Sequence, residues 1–498
     1  RLQSRLVVCT LFLSPTMSPT HTPPPSIPDD VDEDLGDEIA FLEGEAYEVV
    51  NESDQEVVGI DCEDDASDME DMAPQQDDSK FILKKHNESV FCVDIDPSGS
   101  FIASGAQDHT AIIWDAINGT DMFVCSGHQD SVVSVAFSPD GTFLATGDMA
   151  GGIFLWRRPS SGNEWILHST HALSDLLWLK WWSMGGAVGG NRKKTPQVLL
   201  AGTEDSIVNA ILVSASANAA TRSPKYLSGA GTAAVAAEIV PSTFFTDQPH
   251  LAVVYRSGDF RVWNLKTEVA CLTANLADLT AVTGGGDDGE LEFTCMAAPP
   301  PTEGTSAGAH DIVAVGGLHR LIIVPCKPPA DDVTRKIPST SLTSVGVGTA
   351  GTVEAIDFSW THPFLAYGTV DGELGIYDTD RMRARQKTVY TDPLISNNEG
   401  IGITVIRWSR TEPLLFAGTL GGTVVAWSGL IREPTGSTID EEAMAPLAIW
   451  RGHSEPVLDL CLGPPVSSAS GHEGFLVSAS DDNTLRIFDL TAGWGAET

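Results

Sequence analysis

The chain has 498 residues, 42% of them hydrophobic, with 29 Lys and Arg against 68 Asp and Glu and a formal net charge of −39 at pH 7. So acidic a polypeptide repels nucleic-acid phosphates and suits a basic partner, while its length serves either several small domains or one large repeat array. No apolar run reaches the roughly 18–20 residues of a membrane-spanning helix, and the eight cysteines show neither a C-x-x-C pair nor Cys/His ligand spacing, which predicts a reducing compartment and no zinc.

In chain order, Arg1 and Arg5 precede the apolar run Leu6–Leu13, a crude imitation of a signal peptide. No small-x-small cleavage site follows and Met17 is a natural start, so residues 1–28 read as an upstream extension, Pro/Ser/Thr-rich from Ser14 to Pro28 and expected to be disordered. Residues 29–79 form an acidic tail. Positions 29–78 hold 22 Asp and Glu and no Lys or Arg, too much unbalanced charge for too little apolar area to offset the entropy of ordering. Asp61–Asp65 has the composition of a calcium loop, but Ala66 stands where the sharp turn needs Gly, so no metal is expected. The tail is either a solubilising segment or a mobile lure for a basic partner. Ile39–Leu42 and Tyr47–Val50 leave room in it for a short docking motif.

Residues 80–498 then repeat one pattern. His86, Ser104, Asp108 and Trp114 recur as His128, Thr146 and Trp156, and Trp114 and Trp156 lie 42 apart, inside the roughly 40–45-residue period of WD repeats with their Gly-His opening and Trp-Asp close. In such a repeat a turn His, a strand hydroxyl, a turn Asp and a strand Trp can hydrogen-bond in series, satisfying polar groups that stacked sheets bury. These histidines are therefore structural, and so are His453, Ser478 and Asp482 near the carboxyl end. The fold expected is all-β, a WD40 β-propeller.

Anchoring each unit on its third-strand position gives Trp114, Trp156, Ile211, Trp263, Val324, Tyr377, Trp427 and Phe488, hence eight blades, with seven as the alternative. Units three and five are weakest, ending in no aromatic-Asp pair, yet both retain strand-like runs at Leu176–Trp181 with Val198–Gly202 and at Ile312–Gly317 with Leu321–Val324. Stretches rich in Gly, Pro, Ser or Thr, at Ser183–Pro196, Ser214–Pro224, Gly284–Glu290, Pro299–Ala309, Lys327–Val345, Arg432–Ala445 and Gly463–Gly474, read as swollen surface loops. Ring closure asks one terminus to complete the blade begun by the other. Phe81–Leu83 is the expected outer strand, pairing beside Thr484–Leu490.

Ser131–Trp156 with the preceding CSGHQD, Asp175–Trp181 followed by Leu199–Asp205, Ala366–Asp378 and the acidic tail together resemble the family of the angio-associated migratory cell protein and its fungal ribosome-assembly relatives. The resemblance spans about residues 81–490. It implies a dedicated chaperone that captures the amino-terminal segment of a basic, nascent large-subunit ribosomal protein and delivers it to the pre-60S particle. The animal member implies a link to cell migration and signalling scaffolds.

On a WD propeller the usual peptide site lies where the turn before the first strand, the early first strand and the end of the second strand converge. Those positions hold Glu88, Phe91, Asp130, Glu204, Glu354, Glu455 and Asp481, side chains able to hold Lys and Arg through charge-assisted bonds and a cation–π contact. Asp108, Asp205 and Asp482 occupy the structural turn position instead. No G-x-S-x-G, H-E-x-x-H or Walker loop is present, so the reading is a non-catalytic binding protein with no cofactor, monomeric, cytoplasmic with the nucleus as a second compartment. It would make no direct contact with nucleic acid or membrane. The other reading is a signalling or ubiquitin-ligase adaptor scaffold, because fold does not determine function.

Overall fold

The computed structural model describes residues 76–158, 164–183, 197–213, 225–229, 231–240, 250–276, 293–300, 311–327, 336–347, 351–394, 401–430, 445–465 and 474–491. The amino-terminal extension, most of the acidic tail and most of the glycine- and proline-rich stretches lie outside them.

Eight antiparallel four-stranded sheets form the ring, and all eight predicted anchors fall on third strands. Blade one runs Val90–Ile95, Phe101–Ala106, Ala111–Asp115 and Asp121–Cys125, and its strands alternate or run apolar, as sheets packed on both faces require. Seven blades are built from consecutive strands. The eighth takes Val457–Leu462, Phe475–Ser480 and Leu485–Asp489 from the carboxyl end and Phe81–Leu83 from the amino end, with Phe81 opposite Ile487 and Leu83 opposite Leu485. The predicted closure strand is in place. Leu83 is buried in the seam between blades eight and one with Val90, Ile102, Trp114, Val477 and Ile487.

Just ahead of that strand the last residues of the acidic stretch are already tied down. The Asp78 amide donates to the Arg451 carbonyl and the Arg451 amide to the Asp78 carboxylate, both at 2.9 Å, while Arg486 pairs with Asp77. In blade five the stretch read as a loop from Lys327 to Val345 is partly regular. It contains a 3-10 turn at Ser339–Ser341 and the fourth strand, Thr343–Val345, opposite Leu321–Ile323. The Pro and Ser content that suggested a loop belongs to the approach, and three residues are too short a strand to show a period.

The polar series expected from sequence is complete in blade one, and blade eight keeps its His, Ser and Asp with Phe488 in the Trp position. His86 meets Asp108 at 3.0 Å and Ser104 at 2.8 Å, and Trp114 Nε1 donates to Ser104 Oγ at 2.9 Å. His453 meets Asp482 at 2.8 Å and Ser478 at 2.7 Å. In blade two His128, Thr146 and Trp156 form the same series at 2.9 and 3.0 Å, but Asp148 turns to the amides of Gln129 and Gly152. Burial works to raise the Asp108 carboxyl, yet hydrogen bonds from His86 and Thr110 overcome it and hold the group down at about 2. Blades three to seven substitute other partners, such as Trp263 donating to the Tyr255 hydroxyl at 3.3 Å and Tyr367 donating to the buried Glu373 at 2.8 Å.

The first strands carry a second set of polar links from blade to blade. Asp459 accepts the Val93 amide at 3.2 Å, Asp94 the Phe137 amide at 2.7 Å, Ser134 the Leu179 amide at 3.2 Å, and Asp357 the Trp408 amide at 2.8 Å. Register places Asp94, Lys180, Glu238, Asp357 and Arg407 at one level of their strands. Lys180 pairs with Glu238, and Arg407 pairs with Asp459 at 3.0 Å. Burial raises Asp94 and Asp357 to about 6, against the amides each accepts.

Two outcomes follow. Trp114→Ala empties a fully packed site and removes one hydrogen bond from Ser104, which keeps His86, costing about 3–5 kcal/mol, read as a lowered melting temperature. Because Asp94 and Asp357 bind protons more tightly folded than unfolded, they favour the fold below their ordinary range, and that contribution is lost as pH rises through about 6. Asp94→Asn keeps an acceptor for Phe137 without the charge. Its melting temperature should therefore fall less than that of the wild type between about pH 4 and pH 7; an unchanged pH profile would contradict this.

Candidate client-binding rim

At one end of the blades a single backbone bond recurs, from the residue after the second strand to the residue before the first. Gln107 donates to Ser89 at 2.9 Å, Met149 to Ser131 at 2.9 Å, Glu204 to Asp175 at 3.0 Å, Arg256 to Ala233 at 3.0 Å, Val370 to Thr352 at 3.1 Å, Leu420 to Gly402 at 2.8 Å and Asp481 to Pro456 at 3.1 Å. This bond brings the two turns of these seven blades together, so the positions singled out from sequence gather on one rim.

A bulge adds to the geometry. In every blade the pairing of the first strand with the second slips by one residue near its start. The extra residues are Phe91, Val133, Leu177, Val235, Thr294, Glu354, Thr404 and Leu458, so two of the candidates, Phe91 and Glu354, sit on bulges, where a strand re-aims its side chain. Phe91 packs against Val133 and Met149 of the next blade. Thr294 and Thr404 donate their hydroxyls to the first-strand carbonyls of Val353 and Val457, so these bulges clasp neighbouring blades.

The charges on the rim are uneven. Glu88 and Glu455 are exposed and Asp481 half-buried. Asp481 accepts a hydrogen bond from Ser89 across the seam between blades eight and one, and Asn483 donates to the Asn87 carbonyl at 3.2 Å on the same seam. Partial burial, then the charges of Asp481 and Asp482, hold the Glu455 carboxyl above its ordinary range. An arriving cation would relieve that repulsion. In blade two the Asp130 carboxylate accepts the Ser131 amide at 2.7 Å.

Glu204 differs, since Arg256 of blade four pairs with it at 2.7 Å. Asp205 takes the turn role expected of it, accepting from Thr203 and the Ile207 amide. Sequence reasoning missed Asp175 and Arg256. Asp175 stands beside Glu204 on the same rim and could have been found from the one-residue offset it shares with Ser89 and Ser131. Arg256 could not, because no pattern signals an ion pair between blades. The anionic arc therefore runs through blades eight, one, two and three and is partly neutralised at the border with blade four. Among the described residues no group of three His, Cys, Asp or Glu side chains is arranged to hold a metal ion.

The WD domain, G-beta repeat family matches residues 78–115, 119–157 and 444–489, the repeats that keep the hydrogen bond from turn His to strand hydroxyl. The human angio-associated migratory cell protein is 26% identical over 416 residues, 83% of this chain and 80% of its own, and the dog protein aligns equally well. The pre-rRNA-processing protein crb3/ipi3 of Schizosaccharomyces pombe is 29% identical over 94 residues, 18% of this chain and 20% of its own. Among solved structures, Saccharomyces cerevisiae Sqt1 superposes with a TM-score of 0.64 at 20% identity, covering 83% of this chain and 99% of Sqt1. Chaetomium thermophilum Sqt1, bound to the N-terminus of the ribosomal protein L10, superposes at 0.61 with 17% identity, covering 83% of this chain and 100% of that one. The chain is thus a WD40-repeat protein with an eight-bladed propeller fold shared with Sqt1, and it is homologous to the angio-associated migratory cell protein.

Proposed function

We propose that the protein is a non-catalytic escort for a basic ribosomal protein of the large subunit, holding a Lys/Arg-rich amino-terminal segment against the anionic rim until it reaches the pre-60S particle. The observation that carries this reading is the cluster at the closure seam, where Ser89, next to Glu88, bonds Asp481, and where partial burial, then the charges of Asp481 and Asp482, hold Glu455 above its ordinary range. The Sqt1 structure with a ribosomal-protein N-terminus supports the client class, and the chain's charge of −39 supports its sign. Long-range attraction raises the association rate of a cationic segment, and screening over about 8 Å at physiological salt makes capture salt-sensitive.

In this reading residues 80–498 are the binding unit and residues 29–79 an acidic appendage, working in the cytoplasm with the nucleus as a second compartment. The protein acts alone, as a monomer, without a cofactor and without touching RNA or membrane. Carboxylates bind the client's cations through charge-assisted bonds and form no covalent intermediate.

The test uses the full chain and a labelled peptide from the amino terminus of an L10-type ribosomal protein. Glu88→Lys with Glu455→Lys, both exposed, should weaken binding by about tenfold or more, on the order of 1.4 kcal/mol or above, with the melting temperature little changed. Glu204→Lys should cost less, since Arg256 already engages that carboxylate. Equal affinity in the double variant, or binding indifferent to salt, would remove the rim as the client site.

A further inference from the structure

The outer strand of blade six, Arg383–Val389, has the sequence RARQKTV and lies at the end of its sheet. With Arg381 in the preceding turn it gathers four cations in seven residues of a chain that has 29 Lys and Arg against 68 Asp and Glu. Two of them face buried carboxylates, Arg381 at 3.2 Å from Asp378 and Lys387 at 2.9 Å from Glu373. Arg385 lies 4.4 Å from the centre of the Phe364 ring. Arg383 is exposed, and no ion pair is formed by it among the described residues.

Cations on an edge strand ordinarily keep like edges apart. Here that explanation fails on sign, because the chain as a whole is strongly negative and copies already repel each other. A positive edge on such a protein attracts acidic segments instead.

Blade four shows that an outer edge of this ring can take further backbone pairing, here a single bridge. Beside its fourth strand, Val269–Asn275, Lys336 pairs in parallel with Thr273, and the Ile337 amide donates to the Thr273 carbonyl at 2.8 Å, leaving Ile337 buried. That edge carries no charged side chain, and it is covered by the chain's own backbone. The blade six edge is charged, and among the described residues no fifth strand pairs with it.

Register says what such a strand would present. Arg383 pairs with Asp378 and Lys387 with Gly375, and a slip between Ile376 and Tyr377 makes Arg385 the extra residue. Paired residues share a face and successive residues alternate, so Arg383 and Lys387 stand on opposite faces of the edge. A partner strand with a run of carboxylates would present them to both faces, and two of them about three positions apart would meet both cations.

We propose that the outer edge of blade six binds, as a fifth strand, an extended segment of an acidic partner protein bearing consecutive Asp or Glu residues. This surface is separate from the rim, and the proposal does not rest on the client reading. Main-chain hydrogen bonds would supply the pairing and the flanking cations the selectivity.

The probe is a labelled peptide of about ten residues with a central run of glutamates, titrated into the full chain by fluorescence anisotropy, beside the same peptide methylated at alternate backbone amides. The proposal expects saturable binding that falls about tenfold or more in Arg383→Glu at an unchanged melting temperature, and that is lost with the methylated peptide. It is overturned if Arg383→Glu leaves the affinity intact, or if the methylated peptide binds equally well, since charge alone would then suffice. It is also overturned if single-stranded RNA of similar length displaces the peptide and binds more tightly, or if Arg383→Glu causes self-association while the peptide never binds the wild type, which would make the cations a guard against edge pairing.

Discussion

A ring of sheets has no free end to absorb error, and everything in this structure depends on the seam where its last blade is finished by its first strand. Phe81–Leu83 supplies the fourth strand beside Leu485–Asp489, and Leu83 joins apolar side chains of blades eight and one. Were the strand absent, Leu485–Asp489 would expose an unpaired edge. The seam also carries its polar locks close by: the His-Asp-Ser hydrogen bonds of His86 and His453 in the two flanking blades, and Asp481 with Asn483 reaching across to Ser89 and Asn87.

Closure and function are built from the same residues. Asp481 joins two blades and also belongs to the carboxylate cluster with Glu455 and Glu88. The cluster is costly to the folded protein, as the raised Glu455 carboxyl shows, and a functional site is where such cost is tolerated. Elsewhere the chain spends similar charges on structure. Asp94, Asp357 and Asp459 accept amides from neighbouring blades, and Arg407 holds Asp459. Carboxylates that face inward thus act as fasteners, and on the rim Glu88 and Glu455 stay exposed to a partner.

Much of this was legible from sequence, for a physical reason. Blades one, two and eight need a buried aromatic, a hydroxyl and a His in fixed order, so their pattern is specified residue by residue. Even the anchors without an aromatic ring, Ile211 and Val324, lay on third strands, because a central strand must be apolar whatever its closing residue. What escaped were interactions between blades. The pairing of Arg256 with Glu204, the bulges that carry Phe91 and Glu354, and the level shared by Asp94, Lys180 and Arg407 depend on how separate repeats stack, which no period within one repeat records. Thr343–Val345 escaped for a different reason, being a strand of three residues behind a Pro- and Ser-containing approach.

The central claim is that a cationic ribosomal segment lies against the rim formed by the turns before first strands and after second strands. Hydrogen exchange of the full chain with and without a Lys/Arg-rich peptide of that class tests it most directly. The account predicts slowed exchange in 86–91, 128–133, 453–458 and 480–484 when the peptide is present. Slowed exchange confined to the opposite ends of the blades, around 359–363 and 409–413, would contradict it.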